Sequence, residues 1–167
     1  MTDETPPEEN VDVDEKREAL LISFSEILGE DLVESHLRAN EDLWLRIRSE
    51  SWQDSARAVQ SAGFEYFGFL SAIDWEIAPE GRYEDTEFDG GLDEEDDEPV
   101  EIDSSTGYAG GESRFQILAQ FYSLSQQVGV ILKTDVGEDM TIDTIRDIFP
   151  GADWHERETY EMFGISF

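Results

Sequence analysis

Residues 43–75 read LWLRIRSESWQDSARAVQSAGFEYFGFLSAIDW, and this stretch decides the fold. Apolar residues occupy every second position from 43 to 47, which is the period of a half-buried strand. A helical pattern follows from Trp52 and ends at Gly63, because glycine readily adopts the left-handed conformation that closes a helix. Residues 64–75 are aromatic and β-branched, as in a second strand. The order strand, helix, strand predicts a sheet with a helix packed on it.

The segments on either side of this stretch extend the same design. Apolar residues at helical spacing predict an amphipathic helix that starts at Asp14 and ends at Gly29. Residues 114–124 and 128–136 are rich in apolar and β-branched residues, and the three residues between them, 125–127, predict an antiparallel hairpin.

Two further helices are predicted near the end of the sequence. Four isoleucine or phenylalanine residues within 141–149 predict a short helix that Pro150 terminates. The last helix is predicted to begin at Asp153, with Glu156 three residues later as its capping partner, and to run to Phe163.

The acidic residues are concentrated in two segments. The formal net charge is −31, and residues 76–112 alone hold fifteen acidic residues and one basic residue. Such segments bury too little apolar surface to offset the entropy lost on ordering. We therefore expect a disordered acidic arm at 1–13 and a single domain at 14–167 in which 76–112 is a mobile acidic loop. The predicted fold class is α+β: a mixed β-sheet of about four strands, helices packed on one face, and an acidic disordered insertion between strands.

Composition excludes several classes of function. The sequence has no cysteine, so it supplies no thiolate nucleophile, zinc ribbon or iron–sulfur ligand. Nucleic acid is not expected as a partner, because so negative a chain is repelled by phosphates. No apolar run approaches the ~20 residues of a membrane helix, so contact with a membrane is expected only through partners.

The last fifteen residues, 153–167, read DWHERETYEMFGISF and mix large apolar side chains with charged ones. Helical spacing places Trp154, Glu158 and Met162 on neighbouring faces of the helix. A helix of this composition is not a simple solvated surface helix. We expect it to dock against a partner that offers both apolar and polar contacts.

This segment resembles the signature of the thirty-kilodalton (C) subunit family of NADH–quinone oxidoreductase, respiratory complex I. The resemblance rests on Glu-Arg-Glu, two residues, an acid, and then Met-Phe-Gly-Ile-x-Phe, preceded by residues 149–154. It covers roughly residues 15–75 and 113–167. Glu161 stands where the family usually has Asp, and the acidic loop is not a general family feature. The family also continues beyond Phe167, so the resemblance implies a C-terminally truncated fragment, with a naturally tail-less form as the alternative.

The resemblance implies a scaffold subunit in the peripheral arm of a proton-pumping complex, on the cytoplasmic side of the cell membrane. Its expected partners are the iron–sulfur and quinone-site subunits, the B and D subunits of the complex. FMN and the Fe–S clusters are expected in partner subunits, with no cofactor, metal or catalytic residue in this chain. The signature and expected interface comprise Trp154, Glu156, Arg157, Glu158, Tyr160, Glu161, Met162, Phe163, Gly164, Ile165 and Phe167.

Other interpretations of the same residues carry less weight. His155, Glu158 and Glu161 recur at three-residue spacing, but a metal ion would need ligands from a second element. Glu156 or Glu158 could be read as a general acid, but no nucleophile or complementary base is spaced suitably with either residue. At the level of function, the alternatives are the equivalent subunit or domain of a related membrane-bound hydrogenase, or a free-standing acidic module that binds a basic protein.

Overall fold

The computed structural model describes residues 14–76 and 106–167. The predicted arm at 1–13 and residues 77–105, which make up most of the predicted acidic loop, lie outside the described residues. The helices are α1 (Glu15–Leu28), α2 (Trp52–Ser61) and α3 (Ala152–Phe163). The strands are β1 (Leu32–His36), β2 (Leu43–Ile47), β3 (Tyr66–Asp74), β4 (Phe115–Ser123) and β5 (Val128–Asp135).

The strands form one mixed sheet in the order β1-β2-β5-β4-β3. Strands β2 and β5 are parallel, and every other neighbouring pair is antiparallel. The predicted hairpin is confirmed as β4 and β5, and Gln127 closes its turn in the left-handed region at φ 54°. The mixed α+β class predicted from the sequence is therefore correct.

One face of the sheet carries the hydrophobic core. Alternate residues of the strands lie on this face, and the pairing register aligns Leu45 with Leu132 and Leu132 with Ala119. The helices cover this face. Trp52 of α2 is fully buried, and Phe24 of α1 packs on Phe64 with their ring centroids 5.6 Å apart. Helices on one face are what the pattern of alternating apolar residues predicts.

The structure differs from the predicted fold in two details. The sheet has five strands where the sequence predicts about four, because β1 is a short edge strand with an irregular register whose sequence carries little apolar alternation. The helix expected within 141–149 is absent from the described chain, which has a turn there. In a helix that began at Thr141, the backbone N–H of Ile145 would donate to the carbonyl of Thr141, but here it donates to the Glu156 carboxylate.

The second face of the sheet is crossed by residues 106–111, which we call the strap. Three of its carbonyl groups accept hydrogen bonds from charged side chains of the sheet. Lys133 Nζ donates to Thr106 and Tyr108, and Arg46 Nε donates to Ala109 at 2.8 Å. Composition assigns residues 106–112 to the mobile loop, but the backbone of the strap is held by these buried cations.

The cations under the strap belong to a buried charge cluster on β2 and β5. Arg46 donates to Asp135 Oδ2 and to Glu34 Oε2, each at 3.0 Å, and it is 7% exposed. Burial disfavours ionised Asp135, but hydrogen bonds, led by that from Gln116, outweigh this effect and hold its pKa below the ordinary value. Burial lowers the pKa of Lys133 to about 8, and the charge of Arg46 acts in the same direction.

The depressed pKa of Lys133 predicts a pH dependence of stability. In the unfolded chain Lys133 titrates near 10.5, so between pH 8 and 10.5 the unfolded state binds more protons than the folded state. The free energy of unfolding should therefore rise with pH across this window, by about 2–3 kcal/mol. Urea denaturation at pH 8 and pH 10 would measure the rise. A Lys133→Met variant should lack this component, and an equal pH dependence in both proteins would contradict the assignment.

Candidate functional site

The segment that most resembles a known signature forms α3, and the start of this helix differs from the sequence prediction. Its N-cap residue is Gly151, and no side chain caps the helix. Asp153 is exposed, and Glu156 turns inward. The predicted capping pair of Asp153 and Glu156 is therefore wrong. The glycine that follows Pro150 already has helical backbone angles, φ −64° and ψ −22°, so the helix begins without a side-chain acceptor.

Glu156 anchors α3 to the segment that precedes it. Its Oε1 accepts a hydrogen bond from the backbone N–H of Ile145 at 2.7 Å, and its Oε2 accepts one from Thr144 Oγ1 at 2.6 Å. The residue is only 5% exposed. Both carboxylate oxygens are thus used within the chain, so the role of Glu156 is to fix the helix in place.

The end of α3 is fixed by backbone pairing. Gly164 adopts a left-handed conformation with φ 76°, which ends the helix and is the conformation that favours glycine there. Ser166 then exchanges backbone hydrogen bonds with the preceding segment, accepting from Ile142 N at 3.0 Å and donating to Met140 O at 2.8 Å. Ile165, which comes just before Ser166, is fully buried. The helix is therefore held at both ends.

The inner face of α3 packs beside β3. Thr159 is buried, and the ring of His155 lies edge-on to Phe67 with their centroids 5.3 Å apart. His155 Nδ1 donates to the backbone oxygen of Leu70 at 3.2 Å. A helix that contacts an edge strand in this way protects the strand from pairing with other chains.

The outer face of α3 presents large apolar side chains to solvent. Trp154 is 73% exposed, Met162 is 74% exposed and Tyr160 is 53% exposed. The exposed signature residues are Trp154, Arg157, Glu158, Tyr160, Glu161, Met162 and Gly164; Phe163 and Phe167 are half-buried; Glu156 and Ile165 are buried. Three large apolar side chains exposed on one rigid helix are characteristic of a surface that docks against another protein.

The metal interpretation of α3 finds no geometric support among residues 14–76 and 106–167. His155 is turned toward β3, whereas Glu158 and Glu161 are exposed on the outer face. No three His, Cys, Asp or Glu side chains of the described chain converge as a metal ion would require.

No helix among the described residues is both long and apolar enough to span a bilayer.

The strap and α3 lie on opposite faces of the sheet. The strap contacts Arg46 and Lys133 on one face, whereas α3 contacts Phe67 on the other.

Comparison with solved structures supports the fold. A trypsin-resistant fragment, 1–134, of Nqo5 superposes with a TM-score of 0.60, covers 91% of this chain and 95% of that fragment, and is 18% identical. A chain of the membrane-bound sulfane sulfur reductase, an archaeal respiratory membrane complex, superposes with a TM-score of 0.62 over 90% of this chain and 69% of its own length, also at 18% identity.

Comparison of sequences identifies relatives. The C subunit of the NADH-quinone oxidoreductase of Xanthobacter autotrophicus is 43% identical over 60 residues, which are 36% of this chain and 29% of that protein. The corresponding protein of Rhodopseudomonas palustris strain BisB18 is 32% identical over 69 residues, 41% of this chain and 34% of its own length. The chain thus matches about a third of the length of these curated relatives.

A family model covers more of the chain than these pairwise matches do. The model described as "Respiratory-chain NADH dehydrogenase, 30 Kd subunit" matches residues 45–167, which include most of β2, all of β3 to β5, the strap and all of α3. The resemblance predicted from the last fifteen residues is therefore confirmed, and this chain belongs to the family of the 30-kDa subunit of respiratory-chain NADH dehydrogenase.

Proposed function

We propose that this chain is a non-catalytic scaffold subunit in the peripheral arm of a proton-pumping NADH–quinone oxidoreductase. It supports electron transfer from NADH, through FMN and Fe–S clusters held by other subunits, to quinone. The chain is held at the cytoplasmic side of the cell membrane through the other subunits of the complex, and the B and D subunits are its neighbours. The names of its relatives support this assignment, and the 167 residues contain no cysteine with which to hold a cluster themselves.

The observation that carries the proposal is the outer face of α3. The signature that identifies the family places Trp154, Tyr160 and Met162 in solvent, while Glu156 and the backbone pairing of Ser166 fix the helix rigidly. A surface that is apolar, exposed and preorganised binds a partner at low entropic cost. The proposed interface consists of the exposed signature residues, because Glu156 and Ile165 face the interior.

Replacing Trp154 or Met162 by alanine should detach the chain from its complex. Both side chains are almost three-quarters exposed, so the free energy of unfolding should change by less than about 0.5 kcal/mol. Loss of an aromatic or methionine anchor should weaken association roughly tenfold to a hundredfold. The measurement is the recovery of iron–sulfur and quinone-site subunits with the tagged chain from host membranes in mild detergent.

The matched control is Ile22→Ala, because Ile22 is 62% exposed on α1 and lies outside the signature. This variant should recover the same subunits as the unaltered chain. Equal recovery by the Trp154 and Met162 variants would contradict the proposed interface. Recovery of hydrogenase subunits by the unaltered chain would assign it to the related hydrogenase complex instead.

A further inference from the structure

A cleft of about 270 Å³ lies beside α3, where the helix meets the last two residues of the chain. Its lining includes two arginines, Arg146 and Arg157, together with Tyr160 and Phe167. Two guanidinium groups at one cleft are unusual for this chain, since only 11 of the 167 residues are lysine or arginine and the formal net charge is −31.

The carboxylates that line the same cleft leave these arginines poorly neutralised. Both oxygens of Glu156 are engaged by Ile145 and Thr144. Asp153 lies 3.8 Å from Arg146, a long contact between side chains that are each more than half exposed, and such pairs contribute little. Within residues 14–76 and 106–167, no ion pair involves Arg157.

Helical geometry separates this cleft from the other charges of α3. Arg157 and Tyr160 are three residues apart and share the flank that faces the cleft. Glu158 and Met162 are four residues apart and share the opposite flank, with Trp154 four residues before Glu158. The flank of α3 that faces the cleft therefore carries Arg157, Tyr160 and Asp153, and the opposite flank is acidic and apolar.

We propose that the cleft between α3 and residues 166–167 receives a carboxylate side chain of the neighbouring subunit, bound by Arg157 and Arg146. The inference rests on the proposed function, since it names the chemistry by which the partner recognises this helix. The planar fork of a guanidinium group binds the two oxygens of a carboxylate with parallel hydrogen bonds. The ring of Tyr160 would shield the pair from water, which strengthens it.

The experiment is a zero-length cross-link made on the intact complex. Arg157→Lys keeps the positive charge and supplies a primary amine. A carbodiimide joins this amine to a carboxylate in direct contact as an amide, and the carbodiimide takes up the water that is lost and leaves as a urea. The complex is purified through the tagged variant chain, treated with the carbodiimide and analysed by mass spectrometry. The expected product joins position 157 to an aspartate or glutamate of another subunit, and Arg146→Ala in the same chain should reduce its yield severalfold.

Arg57→Lys is the matched control. Arg57 is exposed on α2 and pairs with Asp54 of the same helix at 2.8 Å, so its product should lie within this chain. If position 157 also yields only products within this chain while the other subunits co-purify, the carboxylate inference fails and the proposed function stands. If the unaltered chain brings down no respiratory subunits at all, the proposed function fails and the inference fails with it.

Discussion

Replacing Glu156 by alanine is expected to lower the free energy of unfolding by about 2–4 kcal/mol. The change leaves the buried backbone N–H of Ile145 and the half-buried hydroxyl of Thr144 without their acceptor. It also releases α3 from the segment before it. Since the outer face of α3 is the proposed interface, the same variant should lose co-purifying subunits, although Glu156 itself faces away from them.

Urea denaturation of the purified chain measures the first effect, and affinity purification from membranes measures the second. Glu158→Ala is the control for stability, because Glu158 is exposed on the same helix and should change the free energy of unfolding by less than about 0.5 kcal/mol. The free energy of unfolding of Glu156→Gln should lie between those of Glu156→Ala and Glu158→Ala, since the amide keeps only one acceptor oxygen. A Glu156→Ala variant as stable as Glu158→Ala would disprove the anchoring role.

Replacing Arg46 by methionine is expected to destabilise the chain by about 3 kcal/mol. Arg46 is nearly buried and bonds to two carboxylates and to the strap carbonyl of Ala109. Without the guanidinium, Asp135 keeps its charge in a largely buried site and Ala109 loses a donor. Glu34 is half-exposed and can turn to water, which limits the loss.

The control is Arg57→Met, which removes an exposed arginine from a pair on the surface of α2 and should cost less than about 1 kcal/mol. Hydrogen exchange would add a local test. The amide of Gly110, which donates to the carbonyl of Gly107, should lose protection first in Arg46→Met, because the strap that contains both residues is held by the cations of the sheet. Equal stability of the two variants would show that the buried cluster contributes no more than a surface pair.

The elements that can be predicted from the sequence are those whose signal is strong and local. Alternation at 43–47 marks β2, and the two apolar runs around Ser125 mark the hairpin, because each pattern follows directly from which side chains face the core. The exposure of large side chains on α3 can also be anticipated, since Trp154, Tyr160 and Met162 stand among charged residues, and the structure leaves all three exposed.

The features that the sequence does not predict depend on partners distant along the chain. Glycine and acidic residues favour a mobile loop at the strap, whereas its three cation contacts come from strands at least 25 residues away. Arg46 and Lys133, set within apolar strands, are the available signal, because a buried cation requires acceptors from somewhere. The position of Glu156 suggests a capping box, whereas its true partners, Thr144 and Ile145, belong to the preceding turn.

The close approach of the Trp75 indole to the backbone at Gly107, in the strap, has a practical consequence for engineering. A side-chain carbon at Gly107 would lie 3.0 Å from the indole of Trp75, so the two points where the chain leaves and rejoins the sheet region are held together. Lengthening a segment between such fixed points costs only about 0.6 kcal/mol per doubling of its length. A fluorescent domain or a purification module could therefore be inserted between residues 76 and 106 as a reporter of assembly in living cells.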